Sequence, residues 1–505
     1  MLAANPAIAR PAQGSVWPNV VRACLGNLVE WFDWFIYAWF AIYFAATFFP
    51  AHDATAQLLS TAVVFAIGFL MRPLGGWVLG LYADRRGRRA ALTLSVSLMS
   101  AGSLAIAFNP GYEAIGIAAP VLLVVARIAQ GLSLGGEFGT SASYLTEVAD
   151  PRRRSFFASF QFVSIVLGQL LALLTMIVLQ RLLSESAMGE WGWRVPFVLG
   201  AVIGLTVFYL RRRMQESDAF LEHQREMAQE MLEVKAGRRA RTRVGMTAII
   251  REYPRGFAIA FGVAIGGGVV FYTYTGFLER YLVSARGFDK DDVSLMSFGA
   301  LAVFLVLQPA AGWLADRIGA RRVMGIFALG TMTTTPLVFV VMAHTSSLLV
   351  AFLGLVVGLS FLACYGGAAA TLYADQFPTK VRALGMGMSH SLANAIFGGT
   401  TEMLALSLKE SGHEGLFPWY IVATAGATLL ALAFVAPAVA PAPASVSRVV
   451  ARVDVNRVDA QQLGHLLDQD GQHQRLEVGT RLTAVLDRPT EQHELGRLAT
   501  AAADQ

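Results

Sequence analysis

Charged side chains are scarce in this 505-residue chain, at 15% of residues against an apolar share of 55%, and mean hydropathy is +0.52. So little charge cannot build a water-facing shell, which excludes an ordinary soluble globular protein and leaves a chain that needs a hydrocarbon surround. Only two cysteines occur, Cys24 and Cys364, both within apolar stretches, so no disulfide framework is implied. There is no metal-ligand spacing, no nucleophile elbow and no phosphate-cradling glycine loop, so neither an enzyme nor a resident metal or cofactor is expected. The stretch from Met1 to Val16 lacks a basic region followed by an apolar core; no cleavable leader is expected, and the first span itself directs insertion.

What the chain has instead is apolar runs of spanning length. A crossing helix needs roughly 20 apolar residues, and twelve such runs are expected, near 20–48, 57–82, 90–108, 118–146, 156–180, 194–211, 256–283, 291–314, 323–343, 346–374, 382–406 and 417–438. The expected fold is therefore an all-α membrane protein with twelve transmembrane helices. An even number puts both termini on one side. Arg and Lys crowd into the segments after the second, fourth, sixth, eighth and tenth spans, whereas the opposite loops carry Arg181, Arg286, Lys290 and Lys409. The positive-inside rule then makes the crowded side, with both termini, cytoplasmic. The pI near 9.3 follows from that topology and implies no nucleic-acid partner.

The chain also repeats itself. GWVLGLYADRRGRR from Gly76 and GWLADRIGARR from Gly312 align Asp84 with Asp316 and Gly87 with Gly319, an offset of 232. Glu147 stands seven residues before Arg154 as Asp375 stands seven before Arg382, an offset of 228. Two pairs at nearly one offset indicate a duplicated six-span unit. The expected organisation is a cytoplasmic segment 1–19, two pseudo-symmetric six-helix bundles at 20–211 and 256–438, a basic cytoplasmic linker 212–255 between them, and a tail 439–505. The tail carries Arg but no Lys, and its Leu463, Leu466 and Leu467 do not sustain heptads across Gly464 and Gly471; it reads as cytoplasmic and largely disordered.

At each Asp-Arg turn a glycine permits a tight reversal, and acids and arginines at helix ends can pair with one another or with exposed backbone groups of a neighbour. Asp84, Arg85, Arg88, Glu147 and Arg154, with Asp316, Arg317, Arg321, Asp375 and Arg382, are thus candidates for a cytoplasmic gate; the plainer alternative is that they only set topology. Ala320 stands where the first turn has Arg88, so the two latches are not expected to be equal.

The two turns resemble the signature of the major facilitator superfamily after its second and eighth helices, and RIAQGLSLGGE from Arg127 resembles that of its fourth. GNLVEWFDWFIYAWF from Gly26, FLMRPLGGW from Phe69, GGEFGTSASYLTEVA from Gly135, EWGWRVPF from Glu190 and ANAIFGGT from Ala393 are similar to its metabolite:proton symporter branch. The likeness runs from about 20 to 438. It implies two bundles around a central cavity exposed alternately to the two sides, and secondary transport driven by protons in a bacterial inner membrane. The cargo expected is a small organic anion, a dicarboxylate with α-ketoglutarate foremost. Citrate, shikimate or an osmolyte such as proline or betaine are alternatives within the branch, and a non-transporting membrane sensor is one from another class. Such bundles enclose their own pathway in the lipid bilayer, so a monomer is expected.

An ionisable residue inside a span costs about 2.5–3.5 kcal/mol on insertion scales and usually faces a partner or a cavity. Here such residues cluster in the first half: Glu30 and Asp33 in span 1, Arg72 in span 2, Arg127 and Glu137 in span 4. The second half offers His390 and, toward the outer ends, Glu279, Arg280 and Glu402. Asn27, Glu30 and Asp33 step by three, and Tyr37 continues them, which makes a polar stripe on one helix. Glu30, Arg72 and Glu137 each lie about 15 Å from the cytoplasmic end at helical rise and can meet, while Arg127 lies roughly 13 Å farther out than Arg72. Arginine forks grip carboxylates bidentately, so Arg72 and Arg127 are candidates for the two ends of a dicarboxylate. Arg194 is a rival anion contact or a plain interfacial charge. Asn27, Tyr37, Tyr272 and Asn394 are candidate polar lining, with interhelical hydrogen bonding as the alternative. Glu30, Asp33 and Glu137 are candidate proton carriers, because a carboxylate takes up a proton when substrate claims its arginine. A buried ion network that merely ties helices together is the alternative for the whole cluster.

Overall fold

The computed structural model describes residues 16–49, 54–212 and 246–435; the rest of the expected N-terminal segment and linker, and the tail 439–505, lie outside the described residues. Hydrocarbon offers the backbone no hydrogen-bond partner, so each span must satisfy its own amides and carbonyls, and the described chain is helical nearly throughout. In the first half α1 is Trp17–Phe48, α2 Ala54–Arg86, α3 Arg88–Ala107, α4 Ala118–Val148, α5 Arg154–Leu182 and α6 Arg194–Arg211. In the second half α7 begins as Pro254–Tyr272 and passes through a π-helical turn, Thr273–Phe277, into Leu278–Arg286. Then come α8 Lys290–Ile318, α9 Ala320–His344 and α10 Leu348–Ala374. Helix α11 runs Arg382–Ala393, through a second π turn, Asn394–Gly398, to Thr401–Glu410, and α12 is Phe417–Ala433.

Ten of these helices are long and apolar enough to cross a membrane by length and composition. The other two are α1, which carries the acidic stripe, and α11, which is interrupted by its π turn. The duplication is visible in the packing: in the first half α2 packs on α4, α3 on α4 and α6, and α1 on α5, and in the second α8 packs on α10, α9 on α10 and α12, and α7 on α11. It is visible again in the turns, where Gly87 and Gly319 adopt φ of 101° and 96°, a region that side chains disfavour. The halves meet along two seams, α5 against α8 and α10, and α11 against α2 and α4.

At the end that carries the Asp-Arg turns the seams are tight. Gly139 of α4 lies against Ala383 and Gly387 of α11, and Gly312 of α8 against Ser155, Phe156 and Ser159 of α5. Toward the opposite end α5 and α8 part around a cavity of about 530 Å³, lined in part by Tyr43, Gln180, Arg181 and Asp292. Gly139→Leu should force the backbones apart and lower stability by the ~1–3 kcal/mol usual for overpacking, seen as a reduced melting temperature in detergent. Gly325→Leu, with open space around it, should leave the melting temperature unchanged.

Candidate functional site

Helix α2 turns Arg72 toward the second half, where its guanidinium donates to the Tyr272 hydroxyl at 2.9 Å. The same guanidinium lies 4.1 Å from the ring centroid of Trp34 and 4.1 Å from that of Phe69. Arg127 of α4 lies 4.3 Å from the Trp34 centroid and 4.1 Å from that of Tyr37, and donates to Gln130 at 2.7 Å. The two arginines, expected at levels roughly 13 Å apart, therefore converge side by side on one indole. Each aromatic face stabilises a desolvated cation by about 2 kcal/mol. In both guanidinium groups Nε and one terminal nitrogen are buried without a hydrogen-bond partner, so both retain donors for an anion.

The stripe on α1 is buried, with Asn27, Glu30, Asp33 and Tyr37 each no more than 1% exposed, but it faces into the first half rather than the seam. Asn27 ties α1 to α5 through the Gln161 carbonyl at 2.9 Å and Ser164 at 2.7 Å. Tyr37 donates to the Thr61 carbonyl. Asp33 lies against Gly200 of α6, and neither of its oxygens has a hydrogen-bond partner. Glu30 accepts from Ser95 of α3 at 2.8 Å.

Glu30 and Glu137 meet as expected, but their shared cation is not Arg72. It is Arg211, at the end of α6, fully buried and held to Glu137 at 2.5 Å, with Glu30 at 4.0 Å. Arg211 also donates to the carbonyls of Leu92 and Ala23, and its guanidinium occupies the space that a side chain at Gly26 would fill. Nothing in the sequence marks this role, since Arg211 opens the run Arg211, Arg212, Arg213 that reads as topology-setting charge.

The gate candidates divide. Helices α5 and α11 begin without a side-chain cap of their own, at Arg153 and Val381. The amides that an N-cap side chain normally serves are served instead from the opposite half. Asp84 accepts from Ala383 and Leu384 at 3.3 and 3.0 Å, and Asp316 from Ser155 and Phe156 at 2.7 and 2.9 Å. Around Asp84 the latch is buried and charged: Arg88 binds Asp84 at 2.5 Å, Glu147 at 3.3 Å and the Thr379 carbonyl at 3.1 Å, and Arg382 binds Glu147 at 3.1 Å. The counterpart pair, Arg154 with Asp375 at 2.6 Å, is 26% and 51% exposed. The latches are thus unequal. Arg85, Arg317 and Arg321 stand on the surface, Arg317 over the Trp313 ring.

Arg194 is engaged elsewhere as well, donating to the carbonyls of Ala107 and Asn109 at the end of α3 and lying 4.2 Å from the Trp193 centroid. Asn394 opens the π turn of α11 and donates to the His390 carbonyl; it and Tyr272 both border Gly398. The seam between these groups is aromatic, with Trp31 against Phe271, Phe162 against Tyr365, and Phe138 stacked on His390 at 3.5 Å. The π turn of α7 leaves the Thr275 carbonyl to accept from Gln169 of α5 at 2.8 Å. The sequence shows no period that marks either π turn.

Residues 19–441 match the sequence profile of the family described as sugar (and other) transporter. This chain belongs to that family of the major facilitator superfamily. It is a transporter, not an enzyme. It is 44% identical over 407 residues to the alpha-ketoglutarate permease of Escherichia coli, covering 80% of this chain and 90% of that one. It is 35% identical to the citrate-proton symporter of Salmonella typhi, covering 82% and 92%, and 32% identical to a putative proline/betaine transporter of Staphylococcus haemolyticus, covering 80% and 83%. A solved major facilitator proton:xylose symporter superposes with a TM-score of 0.65 at 20% identity, over 83% of this chain and 94% of that one.

Removing one partner from a buried ion pair costs about 3–5 kcal/mol, whereas an exposed pair contributes about 0–1 kcal/mol. Arg88→Ala should therefore lower the melting temperature of the purified transporter well below that of Arg154→Ala, which should stay near the unsubstituted protein.

Proposed function

We propose that this transporter imports a small dicarboxylate, with α-ketoglutarate foremost, together with protons across a bacterial inner membrane by alternating access, as a monomer with both termini cytoplasmic. The observation that carries the reading is the pair of guanidinium groups converging on Trp34, one of them reaching across the seam to Tyr272. A zwitterionic osmolyte would leave one of two buried forks without a carboxylate. The 44% identity to a protein named for α-ketoglutarate supports the same acid, and the 35% identity to a citrate-proton symporter makes citrate the second reading. The surface arginines at the Asp-Arg end, Arg85, Arg86, Arg152, Arg153, Arg317, Arg321 and Arg322, support a cytoplasmic placement of that end.

A carboxylate entering along the aromatic seam meets Arg72 first and displaces Tyr272 from it. Movement of Trp34 then admits the far carboxylate to Arg127, backed by Tyr37. Tyr272 and Asn394 supply the contacts of the second half. Asp33, whose oxygens have no hydrogen-bond partner, takes up a proton as the arginines engage the substrate. Charge neutralised in the first half loosens the hold of that half on the second, and the caps at Asp84 and Asp316 release as the cytoplasmic end opens. Asn27 and Arg194 keep structural tasks in this cycle.

Arg72→Lys and Arg127→Lys keep the charge but lose the planar fork. Each should reduce uptake of labelled α-ketoglutarate at least about tenfold, equivalent to ~1.4 kcal/mol, at unchanged protein level in the membrane. Excess citrate should compete for wild-type uptake, and proline and betaine should not. Asp33→Asn should preserve exchange of internal for external α-ketoglutarate while lowering the accumulation that a given proton gradient supports. Full accumulation in that variant would remove Asp33 from the coupling set.

A further inference from the structure

Among the described residues the charges buried in the core of the first half balance. Among the described residues Arg72, Arg88, Arg127 and Arg211 are buried, and so are Glu30, Asp33, Asp84 and Glu137. Arg88 and Asp84 pair with each other at the gate end, which leaves three cations and three carboxylates in the core of the first half. A dicarboxylate entering such a core brings two negative charges into a low-dielectric interior, where uncompensated charge is strongly destabilised. One proton, on Asp33, leaves the core one charge short of balance, so a second carboxylate must be protonated.

Glu137 is poorly placed for that role. Arg211 engages both of its oxygens, at 2.5 and 3.4 Å, and the Glu137–Arg211 contact ties α4 to α6. Glu30 is the carboxylate that Arg211 serves least. One of its oxygens is 4.0 Å from the guanidinium and accepts from Ser95. The other is buried with no partner, and the remaining hydrogen bonds of Arg211 go to backbone carbonyls. The groups around Glu30 are Ser95 of α3, Ser133 and Glu137 of α4 and Arg211 of α6, with Asn27 and Asp33 three residues away along its own helix. Ser95, which donates to the engaged oxygen, is itself hydrogen-bonded to Ser133 at 3.0 Å, and among the described residues no cation other than Arg211 pairs with Glu30. Asp33 lies three residues along α1, so a proton on each lies on one side of a single helix.

We infer that Glu30 is a second proton-carrying carboxylate, positioned beside the Glu137–Arg211 pair, and that two protons accompany each dicarboxylate, so that the loaded carrier moves no net charge. The inference rests on the dicarboxylate symport reading above and deepens it. Each proton adds to a carboxylate oxygen on the side where substrate binds and leaves from it on the other side, and no bond other than O–H forms or breaks.

The test uses the full chain in proteoliposomes, with labelled α-ketoglutarate, an imposed pH gradient, and a potential set by potassium and valinomycin. With two protons per dianion, a tenfold proton gradient supports about 100-fold accumulation, and an imposed 100 mV changes it little. In Glu30→Gln, exchange should persist, the same proton gradient should support only about tenfold accumulation, and an inside-negative 100 mV should cut accumulation by about 50-fold, the factor for one uncompensated charge. Wild-type accumulation that follows the potential overturns the inference without recourse to any variant, as does a Glu30→Gln protein with unchanged coupling. Loss of exchange in Glu30→Gln also overturns it and makes Glu30 a structural tie. Wild-type protein that exchanges no α-ketoglutarate at all sinks the dicarboxylate reading itself, whereas exchange with a proton ratio other than two sinks this inference alone.

Discussion

A charge in the interior of a membrane protein persists only where an opposite charge, or an aromatic face and several dipoles, stand beside it. The first half of this transporter is organised around that constraint. Arg211 requires Glu137, and its guanidinium fits only because Gly26 carries no side chain. Asp33 lies where Gly200 leaves room. Arg72 and Arg127, without a carboxylate in hydrogen-bonding contact among the described residues, rest on Trp34, Phe69 and Tyr37. Helix spacing, the placement of glycines and the choice of aromatics in α1 and α2 all follow from where three guanidinium groups must be neutralised. The second half carries no buried arginine or lysine among its described residues, and it meets the first through rings and hydroxyls.

That asymmetry suits a carrier in which one half holds the electrostatics and the other moves against it. An aromatic and hydroxyl seam forms and parts with little directional penalty, whereas a seam of ion pairs would have to be rebuilt in every cycle. Charged latches occur instead at one end, where Arg88, Glu147 and Arg382 join the halves. Water can reach that end once the halves separate. The seams are closed on the side of the Asp-Arg turns, and toward the opposite end a cavity lies between α5 and α8.

Much of this was legible in the sequence, because the hydrocarbon surround makes burial readable as composition. Span positions, the duplication, the concentration of charge in the first half and the inequality of the latches all follow from hydropathy, spacing and the single difference between Arg88 and Ala320. What could not be read was which partner each charge takes. Arg211 sits in a run of basic residues, and only the turn of α6 carries it inward. Arg194 looks like an anion contact until the end of α3 is seen to present two carbonyls to it. The α1 stripe is helical as its spacing requires, but spacing fixes a face and not the neighbour it meets. The π turns depend on local carbonyl geometry that the hydrophobic pattern does not encode.

The caps supplied by Asp84 and Asp316 touch peptide nitrogens rather than side chains. Such a fastening is indifferent to the chemical identity of residues 155, 156, 383 and 384, provided each keeps its N–H. At these positions proline, or an insertion that shifts where α5 or α11 begins, would unfasten the clasp. The register of a helix start, not any particular amino acid on it, is what this contact preserves.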